Sequence, residues 1–328
     1  MKMNRALRLV VVAALGFVMV HASPARAEPI VLKGITPWVQ SYYWCEPLLM
    51  FQRMVNSNKK LKGKVIVSYL GANEVVPTFE QFEAVRNGSV DLILGAASYY
   101  SGQIPEAMAV QYAKLSPTQL RKSGFYDLMR KLHDDAGVVY LANTGGSPGK
   151  AFRMFVNKNL TKPDFTGLKI RVTPVYISLV KAFGGTPINM APSEVYSALE
   201  RKVVDGYGWS YGGITDFGWQ EVTKHVIDIP FYSANTAIIF NKKTWDGLPQ
   251  DVRDELEKIG MALEAKAEKF MANYIMKEDT LLRGLGVNFL NFSDADTKLY
   301  VETAYSAGWK AYLAKNPTNG PKLKAMSE

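Results

Sequence analysis

The chain has 328 residues and a formal net charge of +9, from 39 lysines and arginines against 30 aspartates and glutamates, with one cysteine. A single thiol excludes an internal disulfide, and basic residues scattered along the sequence exclude a nucleic-acid surface. The length exceeds what one core usually organises, so two lobes are expected.

In chain order, Lys2, Arg5 and Arg8 lead into the apolar run Leu9 to Val20, and Ala25-Arg26-Ala27 follows. This is the layout of a secretory signal peptide over residues 1–27. The run is shorter than the roughly 20 residues that span a bilayer, and no comparable run follows. Much of the excess positive charge leaves with the leader. A lipoprotein needs a cysteine at the cleavage point, but the only one is Cys45, so no covalent lipid anchor is expected. Beside Trp44 and Glu46, Cys45 reads as a half-buried structural thiol.

Ile30 to Ile35 alternates like a strand and stops before Pro37. Ser41 to Asn56 has helical spacing, Val65 to Leu70 reads as a strand, Phe79 to Val85 as a helix and Val90 to Leu94 as a buried strand. The β-α-β-α-β order implies a mostly parallel sheet with helices on both faces. A second run repeats it: strands at Val138 to Leu141, Phe152 to Val156 and Leu168 to Val172, helices at Val175 to Phe183 and Pro192 to Glu200, and strands at Val203 to Tyr207 and Val226 to Ile229. Gly145-Gly146-Ser147-Pro148-Gly149, after the Val138 to Leu141 strand, suits a crossover or hinge. From Pro249, the residues Val252, Leu256, Ile259, Leu263, Ala267, Phe270 and Tyr274 recur at helical spacing. A helix of that length runs roughly 40 Å, long enough to brace both lobes. Asp294 to Leu313 reads as a closing helix. The fold class is therefore α/β, two-lobed, with mixed, mainly parallel sheets.

Catalytic and metal signatures are absent from the sequence. His133 and His225 have no partners at metal-ligand spacing, and His133, before Asp134-Asp135, reads as a solvated helix cap. There is no GxSxG elbow, P-loop or Rossmann fingerprint. No catalytic residue, metal or cofactor is assigned, and binding rather than catalysis is expected. In Leu168-Lys169-Ile170-Arg171-Val172, Lys169 and Arg171 share one strand face, and Pro174 ends the strand, placing Arg171 near its carboxyl end. Ligands of open α/β sheets sit beyond such ends, where a guanidinium matches a carboxylate bidentately. A surface arginine on an edge strand is the competing reading.

Phe165-Thr-Gly-Leu-Lys-Ile-Arg-Val, Ala182-Phe-Gly-Gly-Thr-Pro, Ser193-Glu-Val-Tyr-Ser-Ala-Leu-Glu and Val203-Val-Asp-Gly, with the earlier Gln81-Phe-Glu-Ala-Val-Arg-Asn-Gly-Ser-Val-Asp-Leu stretch, resemble the signature of TRAP (tripartite ATP-independent periplasmic) transporter solute-binding proteins. The resemblance covers nearly the whole mature chain. It implies a periplasmic receptor, with no enzymatic role, that closes two lobes on a small organic acid anion and serves a sodium-driven permease of two membrane subunits. It also implies that Arg171 clamps the carboxylate and that Tyr207 to Tyr211 line the pocket. Residues 28–148 with about 237–276 would form lobe I, and 149–236 with about 277–328 lobe II, in a monomer. This chain has Trp209 where sialic-acid receptors carry asparagine and Gly208 where metal-bridged keto-acid receptors carry glutamate. Lys150 or Arg153 are candidates for a second family arginine, unless Gly145-Gly146 simply leaves room.

Aromatic residues crowd the segments expected at the cleft: Trp38, Tyr42, Tyr43, Trp44, Tyr99, Tyr100, Trp209 and Tyr211. The candidate ligand-binding set is Arg171, Trp209, Tyr211, Trp38, Tyr99, Tyr42 and Arg153, suited to an aromatic or cyclic carboxylate. Two other classes stay open, the receptor of an ATP-driven importer and a secreted enzyme acting on carboxylates.

Overall fold

The computed structural model describes residues 28–146 and 150–328. The leader and the Ser147-Pro148-Gly149 part of the expected hinge lie outside the described residues. The strands in chain order are β1 (Ile30–Ile35), β2 (Val65–Gly71), β3 (Leu92–Gly95), β4 (Val138–Asn143), β5 (Phe152–Val156), β6 (Lys169–Val172), β7 (Thr186–Asn189), β8 (Gly206–Ser210), β9 (His225–Phe231), β10 (Ala237–Asn241) and β11 (Asn288–Leu290). They form two sheets, ordered β2-β1-β3-β10-β4 and β11-β9-β5-β8-β6-β7.

Each sheet is mixed. β1 runs parallel to β2 and β3, and β6 parallel to β7 and β8, as helical connections between successive strands require. β10 lies antiparallel between β3 and β4, and β5 antiparallel between β8 and β9. Those exceptions come from the two passages between the sheets. The chain leaves the first sheet after β4, builds most of the second, and returns through β10.

The returning and departing segments lie side by side. Thr144 N–H donates to Thr236 O at 2.8 Å and Gly146 N–H to Ala234 O at 3.1 Å. A side chain on Gly145 would run into the Ala234 carbonyl, so glycine is needed for this close approach. A paired two-strand crossover of this kind can bend as one unit.

The long helix spans Gln250–Gly284, 35 residues or about 52 Å at 1.5 Å per residue. Its first half packs on β4, with Gly260 against Leu141. Its second half reaches the other lobe, where Glu278 accepts from Thr215 N–H, in the turns after β8, at 2.9 Å and from its hydroxyl at 2.7 Å. The helix therefore braces both lobes. Between these regions Glu264, 2% exposed, accepts from Arg121 Nε–H at 2.5 Å, Arg121 Nη2–H at 3.0 Å and Asn143 N–H at 2.7 Å. Among the described residues, no helix is long and apolar enough to cross a membrane.

Two sequence expectations need correction. Cys45 is fully rather than half buried, and burial pushes its thiol up to about 12. His133 is a core residue, not a solvated cap. It is wholly buried, its Nδ1 lies 2.7 Å from the Met129 carbonyl and its Nε2 3.3 Å from the Tyr100 hydroxyl. A carbonyl only accepts, so in the neutral ring Nδ1 carries the proton and Nε2 accepts from Tyr100.

Burial holds the His133 imidazole down to about 4, below the ordinary value near 6.5. Between those values the unfolded chain takes up a proton that the folded chain refuses, so stability falls as pH drops through this window. The expected loss approaches about 3 kcal/mol below the window. Denaturant melts at stepped pH should show that slope, and His133→Gln should flatten it.

Candidate functional site

Arg171 sits on β6 in register with Tyr207 of β8 and Ile188 of β7, near the carboxyl end of a strand inside the sheet. It is not a surface arginine: its exposure is 0%. Its Nε–H and Nη2–H donate to the Met190 carbonyl at 3.0 and 2.8 Å, and Nη1–H donates to Gly208 O at 3.2 Å. The Tyr99 hydroxyl faces it from the other lobe, and the Trp209 ring centroid lies 5.3 Å away.

No described carboxylate forms an ion pair with this guanidinium. The acidic group it feels, Glu194, accepts from Ala191 N–H at 3.0 Å. Burial pulls the Arg171 pKa down, partly offset by Tyr99, yet an arginine stays charged in a protein. A guanidinium has five N–H donors, and three are committed to carbonyls here. The remaining two, one on each terminal nitrogen, have the neutral Tyr99 hydroxyl as their side-chain partner, so they form a desolvated charged donor pair suited to an anion in its place.

Beside it lies a narrow cavity of about 30 Å³ between the lobes. Trp38, Trp44, Tyr99 and Gln111 come from the first lobe, and Tyr176 and Trp209 from the second. Arg171 is not itself on the wall, but Tyr99 and Trp209, which are, neighbour it. The lobes are thus closed on one another, and the space holds little more than two water molecules. A larger recess, about 330 Å³, opens elsewhere between Met108, Ile177 and Tyr312. Its cations, Lys181 and Lys315, are exposed, so it lacks a desolvated charge.

Of the residues expected from sequence, the structure brings Arg171, Trp38, Tyr99 and Trp209 together. Trp38 stacks on Trp44 at 5.5 Å and meets Tyr99 at 5.9 Å. Tyr42 sits at the edge, its ring 4.2 Å from Phe217 of the other lobe, beside an outer recess of about 120 Å³. Arg153 and Tyr211 stand apart from the cavity. Arg153 pairs with Asp228 at 3.5 Å and lies 4.6 Å from the Tyr211 ring centroid, and the Tyr211 hydroxyl donates to Asp279. Lys150 is exposed. Neither cation adds a second charge to the cavity.

Sequence reasoning passed over Tyr176, Gln111, Thr173 and Asn235, all on the cavity wall. Thr173 follows the Arg171 strand directly and could have been found from that position. Tyr176 also explains Gly208: a Cβ there would lie 2.7–2.9 Å from the Tyr176 ring. Gly208→Ala should therefore displace that ring and weaken solute binding by about an order of magnitude, with the fold retained, as titration calorimetry beside a far-ultraviolet spectrum would report.

Two α/β lobes joined by a paired crossover, with a buried guanidinium between them, define a solute-binding architecture. The sequence pattern of the DctP family, "Bacterial extracellular solute-binding protein, family 7", matches residues 38–315, and the chain belongs to that family. Among its relatives is the C4-dicarboxylate-binding periplasmic protein DctP of Rhodobacter capsulatus, 31% identical over 268 residues, 78% of this chain and 77% of that one. A solute-binding protein of Albidiferax ferrireducens is 26% identical over 286 residues, 82% of each chain. The fold matches a TRAP periplasmic solute-binding protein of Desulfovibrio salexigens crystallised with orotic acid, at TM-score 0.82 and 20% identity, covering 90% of this chain and 97% of that one. A marine metagenome TRAP protein in complex with pyroglutamate gives TM-score 0.81 at 17% identity, covering 92% and 99%.

Proposed function

We propose that this chain is the extracytoplasmic receptor of a TRAP transporter, binding a small organic carboxylate between its lobes and passing it to a sodium-driven permease. The observation that carries the reading is the fully buried Arg171, charged, without a carboxylate partner, and set where the two lobes meet. The open form admits the solute, its carboxylate replaces the Tyr99 hydroxyl on the guanidinium, and closure follows because the bound solute contacts both lobes. Relatives and fold neighbours whose names cite carboxylates support the ligand class.

Export to the periplasm rests on the leader at residues 1–27 and on the family. The lobe division proposed is 28–148 with about 237–276, against 149–236 with about 277–328, in keeping with the strands each sheet collects. The protein works as a monomer and turns nothing over. Thermal-shift screening of carboxylates on the mature chain tests the function, since a ligand of the folded state stabilises by RT ln(1 + [L]/Kd). Several degrees of stabilisation by a carboxylate recovered unchanged are expected. Stabilisation by uncharged solutes alone, or chemical conversion of the acid, overturns the reading.

A further inference from the structure

Three indole groups around the cavity are out of balance with their surroundings. Trp38, Trp44 and Trp209 are 3–4% exposed, and the Nε1 of each is buried without a protein partner. An indole N–H can only donate, and buried donors are normally satisfied. All three residues line the same cavity, so a solute that fills it on closure lies beside all three.

The same wall carries two acceptors in the same condition, Gln111 Oε1 and Asn235 Oδ1. None of the cavity-lining side chains is charged, and Arg171 beside them is a single positive charge. One carboxylate neutralises it. A second carboxylate would be buried beside neutral donors, with two carbonyl-type oxygens opposing it, and no cation.

We propose that the solute is a small monocarboxylate whose far end is uncharged and bears both a hydrogen-bond acceptor and an N–H or O–H donor, selected over dicarboxylates by the indole N–H groups of Trp38, Trp44 and Trp209. This rests on the carboxylate-receptor reading above. Monoamides of short diacids and short hydroxy acids have this chemistry. The acid group meets Arg171, the far oxygen accepts from the indoles, and the far N–H or O–H donates to Gln111 or Asn235.

Matched pairs isolate the claim. Succinamate and succinate share a skeleton and differ in one terminal amide, as do malonamate and malonate. Titration calorimetry on the mature chain should show the amide member of at least one pair binding tighter by about tenfold or more. Trp38→Phe, Trp44→Phe and Trp209→Phe keep a ring and remove the N–H. Affinity for that amide should fall by about 3- to 10-fold in at least one variant whose far-ultraviolet spectrum and cooperative melting match the parent.

A dicarboxylate binding as tightly as its monoamide, with the binding still lost in Arg171→Ala, overturns this proposal and leaves the receptor reading standing. Phenylalanine variants that bind like the parent, or that weaken only as their unliganded stability falls, overturn it too. Absence of Arg171-dependent binding across a broad carboxylate panel removes both.

Discussion

Arg171→Ala is expected to weaken carboxylate binding at least about 30-fold, while Lys169→Ala leaves it nearly unchanged. The magnitude follows from charge-assisted hydrogen bonds of about 1.5–3 kcal/mol each and the roughly 2–5 kcal/mol typical of a stranded buried charge. Lys169 is the matched control because it lies on the same strand face but at the other end of β6, exposed to solvent. Arg171→Lys separates charge from shape. It keeps the positive charge but loses the planar fork, so an intermediate affinity is expected. Titration of all three variants with one carboxylate checks the order. Equal small effects at positions 169 and 171 would remove Arg171 from the site.

The second large effect concerns stability. Arg121→Ala leaves Glu264 buried with Asn143 N–H as its remaining donor, inside the packing of the long helix on β4. Breaking a buried pair by removing one partner costs about 3–5 kcal/mol. Arg121 also stacks over the Tyr126 ring at 3.6 Å and donates to the Leu141 carbonyl at 3.0 Å, and alanine can do neither. Adding Glu264→Gln removes the stranded charge and should restore part of the stability, which a single-residue packing effect would not allow. Burial already raises the Glu264 pKa, and without Arg121 it rises further. The deficit should therefore shrink as pH falls and the carboxyl is protonated. Urea melts at neutral and mildly acidic pH measure both effects.

Where a segment's burial is local, the sequence already carried its structure. β1 and β5 have the bounds that alternation and flanking breakers imply, and the long helix extends its apolar stripe by only a few turns beyond Tyr274. β10 was not legible from its own residues, although the family resemblance returned the chain from about residue 237 to the first lobe. Its Ala-Ile-Ile-Phe-Asn run is buried on both faces, and nothing local says that it returns to the first sheet. β7 hides behind Pro187, a residue tolerated there because β7 is an edge. His133 misled for a related reason: two following aspartates suggest an exposed helix end, whereas its ring turns inward to Met129 and Tyr100.

The site divides in the same way. Arg171 was readable because strand period, Pro174 and the family pattern agree on its place. Arg153 could not be separated from it on sequence, since its partner Asp228 comes from a strand far along the chain. The unpaired indoles emerge only when two lobes bring Trp38, Trp44 and Trp209 to one cavity.

A crystal structure of the mature chain with its own solute bound tests the central claim most directly. A carboxylate accepting from both terminal nitrogens of Arg171 at charge-assisted distances of about 2.7–2.9 Å is expected, with residues of both lobes around the rest of the molecule. A solute without negative charge, or one held while that guanidinium contacts only the Met190 and Gly208 carbonyls, would contradict it.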